Sequence, residues 1–344
     1  MKEFTIGKNE AGQRFDKYLG KLLPSASMSF IYKMIRKKNF LLNEKKAAGN
    51  ELLQQGDMVK LFLSRETFEK FSSGKTEQSA PAAEDCLYSQ KELEKLHLDI
   101  VYEDEHILIF NKPVGMLSQK AVKEDISVNE YLQGYLLYRH ELTKEDMKTF
   151  RPAAANRLDR NTSGLILCGK TLPGLQYLSE IIKNRSLEKY YCCLVEGIVE
   201  KSFLIEGYLS KDKEKNVVTV CNEPGEKEDS VFIKTGVEPM KQYTWKKGNY
   251  TELSIHLITG KSHQIRAHLA SIGHPLAGDF KYGSGNKCEL AKSCHLKSQM
   301  LHAYKVIFPE TEGAFAYLSG KTVTAQPPGY YRNVLKELQH GNLE

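Results

Sequence analysis

The sequence contains no long apolar run, and this absence excludes one class of protein at once. In 344 residues no stretch approaches 18 consecutive apolar side chains, so a transmembrane helix is excluded. The segment from Met1 to Gly7 lacks the apolar core of a signal peptide. The seven cysteines are odd in number and show no framework spacing. We therefore expect a cytoplasmic protein with reduced thiols and no membrane partner.

The sequence also has only a small excess of charge of one sign. The 49 basic and 43 acidic residues leave a formal charge of only +6. Its placement is informative, because residues 1–64 hold 12 basic and 6 acidic side chains, whereas the remaining 280 residues hold 37 of each. This asymmetry predicts a small basic module joined to a larger, charge-balanced unit.

The basic module is predicted at residues 12–64. Apolar side chains spaced at i, i+4, i+7 and i+8 predict a helix from Phe15 that ends near Pro24. A second helix is expected to begin at Ser27 or Ser29, either of which can cap it. Its outer side and its end carry four cations: Lys33, Arg36, Lys37 and Lys38. Two short strands are predicted after it, at residues 40–42 and 59–63.

Residues 65–95 are predicted to be a flexible linker. They are rich in small and polar side chains and show almost no apolar period, so they cannot bury much surface. The larger domain is predicted at residues 96–340. Its strand candidates, at residues 107–110, 164–168 and 253–257, mix with helix candidates without a strict βαβ period, which favours an α+β fold.

An acid between two arginines is the first candidate site in the larger domain. Asp159 lies between Arg157 and Arg160, and Thr162-Ser163-Gly164 follows before a strand. An aspartate in such a segment commonly makes a turn or caps a backbone amide. A carboxylate between cations is instead held ionised, and it can then act as a nucleophile or an electrostatic stabiliser. Both interpretations remain open at the level of the residues alone.

A second candidate is the segment from Thr259 to Leu269. Its Gly-Lys-Ser is not a phosphate loop, because Ile255 occupies the position where that motif needs a glycine. His263 and His268 do not have the spacing of a zinc-binding helix. Arg266 lies in the first turns of a predicted helix, where it can point at a neighbouring loop or remain a surface arginine. Tyr191, in an aromatic-rich strand, either packs there or stacks on a flat ligand such as a nucleobase.

The order of these motifs resembles the RluA-type pseudouridine synthases. Arg157-Leu158-Asp159 followed by Thr162-Ser163-Gly164-Leu165 is similar to the family's catalytic signature. Four further stretches agree in order and rough spacing with its other motifs: Tyr102 through Gly115, Lys189 through Gly197, Gly260 through Asp279, and Leu301 through Pro309. The resemblance covers roughly residues 96–309. It implies a catalytic domain with a mixed, largely antiparallel central sheet flanked by helices.

The basic N-terminal segment is similar to an S4 RNA-binding domain, a small α/β module. The similarity rests on Arg14 through Leu19, on the helix from Ser27 to Lys38, on Asn43, and on Gly56 through Val59. Two positions depart from the resembled patterns. Lys37-Lys38-Asn39 stands where the S4 module usually has Arg-x-Gly, and Asn156 replaces the histidine that often opens the catalytic signature.

The resemblance implies a chemistry without a metal, nucleotide or redox cofactor, in which a uridine flips out of its RNA stack and is isomerised. Asp159 would be the catalytic carboxylate, and Arg266 would pair with it. Tyr191 would stack on the uracil and assist proton removal at C5. Arg157 would fill the gap in the RNA stack. The remaining RNA-binding candidates are Lys112, Arg160, Lys33, Arg36 and Lys37.

The expected protein is a monomeric RNA pseudouridine synthase that acts on 23S ribosomal RNA, with transfer RNA as the alternative substrate. A rival hypothesis is a non-catalytic RNA-binding or ribosome-assembly factor that keeps the fold. The presence of Asp159, Tyr191 and Arg266 argues against it. A second rival, a hydrolase or nuclease, would need a paired carboxylate, a histidine base or a metal site, and none is evident beside Asp159 in the sequence.

Overall fold

The N-terminal module is built on a four-stranded antiparallel sheet. The computed structural model describes residues 1–73, 88, 90–122, 125–212, 217–221, 223–224, 229–246, 248–284 and 288–341. The strands of the module pair in the order β1-β4-β2-β3. Its elements are β1 (Lys2–Thr5), α1 (Phe15–Leu22), α2 (Met28–Arg36), β2 (Phe40–Leu42), β3 (Lys45–Lys46), β4 (Met58–Leu61) and α3 (Arg65–Ser72).

The module confirms both helices expected from the sequence and extends beyond the expected bounds at each end. Ser27 caps α2, because its side chain accepts a hydrogen bond from the amide of Phe30. Strand β1, which precedes residue 12, carries no alternation that predicts a strand, and it pairs with β4. At the other end, the rings of Phe68 and Phe71 in α3 lie against those of Phe4 and Phe30.

The linker proposed at residues 65–95 is therefore shorter than expected. Its first part forms α3, and its last part contains α4 (Gln90–Leu96), whose Leu93 is buried in the core of the larger domain. The apolar contacts of these two short helices are too few to give a helical period, which is why the sequence pattern missed them. Residues 74–87 lie outside the described residues.

The larger domain is organised by one mixed sheet. Its main path is β11-β10-β12-β13-β9-β14-β8-β6-β5, with β15 on β14 and β7 on β8. Among the described strands, only the pair β8–β14 is parallel, so the expected largely antiparallel sheet is confirmed. The strands are β5 (Asp99–Glu103), β6 (Ile107–Lys112), β7 (Ala153–Ala154), β8 (Ser163–Gly169), β9 (Glu188–Glu196), β10 (Phe203–Asp212), β11 (Val217–Cys221), β12 (Val231–Trp245), β13 (Gly248–Leu257), β14 (Leu301–Ile307) and β15 (Thr322–Thr324).

Helices cover both faces of this sheet. Successive residues of a strand point to opposite faces, so Ile166 in β8 packs with α5 and α8, whereas its neighbours Leu165 and Leu167 pack with α7. Helix α10 covers the same side as α7, against Cys192 and Leu194 of β9. The helices are α5 (Val128–Tyr138), α6 (Asp146–Thr149), α7 (Leu172–Lys183), α8 (Gln264–Ser271), α9 (Glu289–Ser293) and α10 (Gly329–Gly341), with a 3₁₀ turn at Gly313–Leu318.

The two units touch through a buried carboxylate. Glu10 is 7% exposed, and its side chain accepts hydrogen bonds from the amide of Gly7 and, across the interface, from the hydroxyl of Thr149 in α6. Lys8 lies 3.8 Å from Glu105 at the edge of the same contact. Within the described residues, no helix is both long and apolar enough to cross a membrane.

The parallel strand pair approaches unusually closely at Gly164. This glycine has φ of +115° and is paired with Ala303 of β14, and a Cβ at its position would lie 2.2 Å from the Ala303 carbonyl oxygen. Only glycine tolerates that conformation and that distance together. The segment just before it contains Asp159, so this close approach also fixes how the acidic loop enters the sheet.

We expect Gly164→Ala to lower the free energy of unfolding by about 2–4 kcal/mol, because it adds both backbone strain and a backbone clash. Gly329→Ala is the matched control, since a Cβ at Gly329 meets nothing within 4 Å. Urea unfolding followed by circular dichroism measures both variants. Equal midpoints for the two would contradict the close approach.

Candidate active site

Asp159 lies in the loop between β7 and β8, at the floor of a cleft of about 680 Å³. Its side chain is 26% exposed, so it can meet a ligand that enters the cleft. The walls come from the loop at residues 117–121, from β9, from the end of β10, and from the turn that precedes α8. A single nucleotide fits a cleft of this volume.

Backbone contacts hold the Asp159 loop on both sides. The amide of Thr162 donates to the carbonyl of Asp159 at 3.0 Å. Ser118 bonds both ways to Leu158: its hydroxyl donates to the carbonyl at 2.8 Å and accepts from the amide at 3.0 Å. The amide of Gly115 donates to the carbonyl of Arg160 at 2.8 Å. The carboxylate is therefore presented by a loop whose own backbone is fixed.

Lys112 is part of this support. It is fully buried, and its ammonium donates to three carbonyl oxygens, those of Pro113 (2.9 Å), Met116 (2.8 Å) and Arg160 (3.1 Å). Burial lowers the pKa of Lys112 to about 7, against the opposing charge of Asp159. All three donors of Lys112 are used inside the protein in this conformation, so a contact with RNA, which stays a prediction, would have to replace one of them.

Arg266 points from the first turn of α8 at Asp159. One guanidinium nitrogen, Nη1, lies 3.1 Å from Oδ2 of Asp159. The other two nitrogens form a bidentate pair with Asp279, at 2.7 Å from Nε and 2.9 Å from Nη2. The contact between Arg266 and Asp159 that the resemblance implied is thus present.

Asp279 anchors this arginine, and the sequence patterns gave it no role. Its side chain is 0% exposed and also accepts hydrogen bonds from the amides of Lys281 and Tyr282. Burial would raise the pKa of Asp279, but the hydrogen bonds and charge of Arg266, together with the two amides, outweigh it and lower that pKa. The guanidinium is therefore fixed by a partner that stays ionised.

Tyr191 lines the cleft from strand β9 and is 7% exposed. Burial, with a smaller contribution from the charge of Asp159, raises its pKa well above the ordinary value. It therefore remains a neutral phenol at neutral pH, which suits stacking on a base better than removal of a proton as a phenolate. No described residue forms a hydrogen bond with its hydroxyl.

The expected RNA-binding cations fall into two separate groups. Arg157 and Arg160 are exposed and line the cleft, and Arg160 lies 3.9 Å from Asp125. Lys33, Arg36 and Lys37 are exposed on α2 and at its end, in the N-terminal module, and do not line the cleft. Further cations of the cleft were not expected from the sequence: Lys120, Lys189, Lys211 and Lys261.

The turn before α8 is held by one glutamine. The Gln264 side-chain oxygen accepts from the hydroxyl of Thr259 and the amide of Lys261, and its amide nitrogen donates to the carbonyl of Lys234 and the hydroxyl of Thr235. This network places Lys261 and His263 in the cleft wall. Gly260, Lys261 and Ser262, which do not form a phosphate loop, thus line the cleft as part of this turn. The described part of the chain has no group of three or more His, Cys, Asp or Glu side chains that could hold a metal ion.

Comparison with known proteins agrees with this geometry. A sequence profile of RNA pseudouridylate synthases matches residues 106–271, which include Asp159, Tyr191 and Arg266. An uncharacterized RNA pseudouridine synthase of Mycoplasma genitalium is 30% identical over 319 residues, 90% of this chain and 90% of the relative. The chain belongs to the RluA-type RNA pseudouridine synthases. It is an isomerase that acts on RNA.

Other members of the family match over most of their length. The ribosomal large subunit pseudouridine synthase D of Neisseria meningitidis is 28% identical, over 94% of this chain and 78% of the relative. The ribosomal large subunit pseudouridine synthase C of Pasteurella multocida is 30% identical, over 90% and 86%. The human RNA pseudouridylate synthase domain containing 4 shares the fold, with a TM-score of 0.56 and 18% identity over 72% of this chain and 95% of its own.

Asn156, where this pseudouridine synthase departs from the resembled signature, has a structural role. Its amide nitrogen donates to the carbonyl of Leu165 at 3.2 Å, and its oxygen accepts from the amide of Leu167 at 2.8 Å. The side chain therefore ties the segment before Asp159 to strand β8. It satisfies backbone groups of the sheet, and it leaves the positions of Asp159 and Arg266 unaffected.

We expect Asp279→Asn to reduce both stability and isomerase activity in this pseudouridine synthase. The asparagine side chain has an NH2 group in place of one carboxylate oxygen, and this group cannot accept the hydrogen bond from Nε of Arg266. A buried cation is then left poorly paired, at a cost of about 3–5 kcal/mol. Glu206→Gln is the matched control, because it breaks an exposed ion pair with Lys234 that contributes about 0–1 kcal/mol. Chemical denaturation and pseudouridine formation are measured on both, and a stable, fully active Asp279→Asn protein would contradict the anchor.

Proposed function

We propose that this enzyme converts uridine to pseudouridine in 23S ribosomal RNA, with Asp159 as its catalytic carboxylate. The observation that carries the proposal is the chain from buried Asp279 through Arg266 to Asp159, which aims one accessible carboxylate into a cleft of nucleotide size. Two of the relatives are named for the ribosomal large subunit, and this supports the choice of RNA. The corresponding location for such an enzyme is the cytoplasm, where it would be soluble.

In the proposed reaction the uridine leaves the RNA stack and enters the cleft, because its reacting atoms are inaccessible inside the stack. Arg157, exposed at the rim, takes the place of the missing base with its planar guanidinium. Tyr191 lies against the uracil. Asp159 promotes cleavage of the bond between N1 and C1′, the uracil turns while held, and C5 bonds to C1′. The C5 proton is lost and N1 gains a proton, so the product is an isomer.

Arg266 keeps Asp159 aimed throughout this sequence. Its guanidinium reaches the carboxylate through one nitrogen only, so the Asp279 pair carries most of its orientation. If Arg266 and Asp159 had to be ordered against each other only when the substrate binds, part of the binding energy would be lost to that ordering. Preorganisation of this kind is the physical reason to assign the carboxylate a catalytic role.

The N-terminal module is proposed to be the RNA anchor of the enzyme, similar to an S4 domain. The support is electrostatic: Lys33, Arg36 and Lys37 are exposed and have no ion pair among the described residues. They lie outside the catalytic cleft, so they can contact phosphates at a distance from the target uridine. A monomer suffices for this arrangement, since both units belong to one chain.

Asp159→Asn tests the catalytic assignment. We expect it to reduce pseudouridine formation by about 10³-fold or more while RNA affinity stays close to that of the wild type, because the fold and the Arg266–Asp279 pair are retained. Asp99→Asn, an exposed acid on strand β5, is the control. Pseudouridine is mapped in total RNA from cells without the protein, after incubation with each variant. Pseudouridine formation by the Asp159→Asn variant close to that of the wild type would refute the assignment. Modified sites confined to transfer RNA would refute the 23S substrate.

Replacement of Lys33, Arg36 and Lys37 together by glutamine tests the anchor. Each lost phosphate contact removes about 0.7–0.9 from the slope of log affinity against log salt, so the slope should fall by about two units. The control replaces the dispersed exposed lysines Lys183, Lys201 and Lys336. Filter binding to 23S RNA between low and moderate salt gives both slopes. Equal slopes for the two triple variants would show that α2 does not bind RNA.

A further inference from the structure

His263 occupies a strained position in the cleft wall. It precedes α8 with φ of +55°, a left-handed conformation that a histidine adopts only at some cost, and its carbonyl accepts the hydrogen bond from the amide of Ala267. Its side chain is 13% exposed and lines the cleft. Glycine would adopt this backbone without strain, so the presence of an imidazole here suggests that the side chain itself is needed.

The hydrogen bonds around His263 determine which ring nitrogen carries the proton. The amide of Val218 donates to the hydroxyl oxygen of Tyr282 at 2.9 Å. That hydroxyl is 2.8 Å from Nδ1 of His263. Since the oxygen already accepts from Val218, its own proton is free to be donated to Nδ1. A neutral His263 with Nδ1 as acceptor must carry its proton on Nε2.

The other ring nitrogen, Nε2, faces Asp159 and carries the proton in the tautomer that the Tyr282 hydrogen bond favours. It lies 3.9 Å from Oδ2, the same carboxylate oxygen that accepts from Arg266. This distance exceeds a hydrogen bond, so in the substrate-free enzyme His263 acts on Oδ2 through its N–H dipole, and a small rotation closes the gap. No described residue donates to Oδ1 of Asp159. Arg266 and His263 therefore both lie nearest to Oδ2, and Oδ1 is the oxygen left for the ligand.

We propose that His263 is a positioning residue, which donates its Nε2 proton toward Oδ2 of Asp159 so that Oδ1 is the oxygen presented to the uridine. Tyr282 is the second part of this device, because it fixes the tautomer of His263 and its ring lies 5.0 Å from the guanidinium carbon of Arg266. The inference rests on the proposed role of Asp159, and it goes beyond that role by naming the oxygen that reacts and the side chain that selects it.

Burial, more than the surrounding charges, favours a neutral imidazole at His263. Burial lowers the pKa of His263 below its ordinary value of 6.5. Asp159 and Asp279 oppose this change, whereas Arg266 and Lys281 reinforce it. A proton added in acid would go to Nδ1 and compete with the Tyr282 hydroxyl for that bond.

The test compares His263→Leu with His263→Gln under single-turnover conditions, with total RNA from cells that lack the protein as substrate. Leucine removes the donor at similar volume, and glutamine places an amide N–H near the position of Nε2. We expect the leucine variant to lose about 100-fold in rate with little change in RNA affinity. The glutamine variant should recover most of that rate.

His256→Gln is the control, because His256 stacks on Tyr190 and does not line the cleft. Equal rates for the leucine and glutamine variants, or a loss of affinity in place of rate, would overturn the proposal. If the wild type and the control form no pseudouridine, the proposed function fails instead.

The ¹⁵N shifts of the imidazole in the wild-type protein are a second measurement, independent of whether the leucine variant folds. They should show a proton on Nε2 near neutral pH, and a proton on Nδ1 would overturn the proposal. Tyr282→Phe, which keeps the ring beside Arg266, should move the tautomer toward Nδ1–H and lower the rate several-fold. An unchanged tautomer and rate in this variant would also contradict the role of Tyr282.

Discussion

The buried pair between Arg266 and Asp279 is the interaction on which the rest of the site depends. A guanidinium that is 9% exposed would be costly without a partner, and a fully buried carboxylate with two amide donors supplies one. Two of its nitrogens are thereby fixed, and the third is left to reach Asp159. The Asp159 carboxylate is consequently aimed by a cation that cannot turn away, because the buried Asp279 holds two of its nitrogens.

The sheet brings the parts of this site together across four neighbouring strands. Gly164 of β8 is opposite Ala303 of β14, Ala303 is opposite Tyr191 of β9, and Tyr191 is opposite Ile255 of β13. The Asp159 loop leads into the first of these strands, and the turn with His263 leads out of the last. The close approach at Gly164 is thus part of the site, because it sets how near the two loops come to each other.

The sequence could predict the elements with strong local signals. The strands at residues 107–110 and 164–168 and the helix capped by Ser27 are present because apolar runs and caps act over a few residues. Strand β1 and helix α3 were missed because their stability comes from partners distant in the chain. The same limit applies to Lys112 and Asp279, because nothing local in the sequence indicates the three carbonyls around one or the arginine against the other.

The distribution of net charge along the chain places the basic excess in residues 1–64, but it does not reveal the cations that line the cleft of the larger domain. The charge-balanced domain still gathers Arg157, Arg160, Lys211 and Lys261 around one cleft, in which Asp159 is the acid, while Asp279 is buried in its pair with Arg266. The charge balance over these 280 residues therefore conceals a positively charged cleft wall around the accessible carboxylate of Asp159. A phosphate backbone is attracted by the wall and repelled by that carboxylate, so the base and the backbone of a flipped uridine would take opposite sides of the cleft.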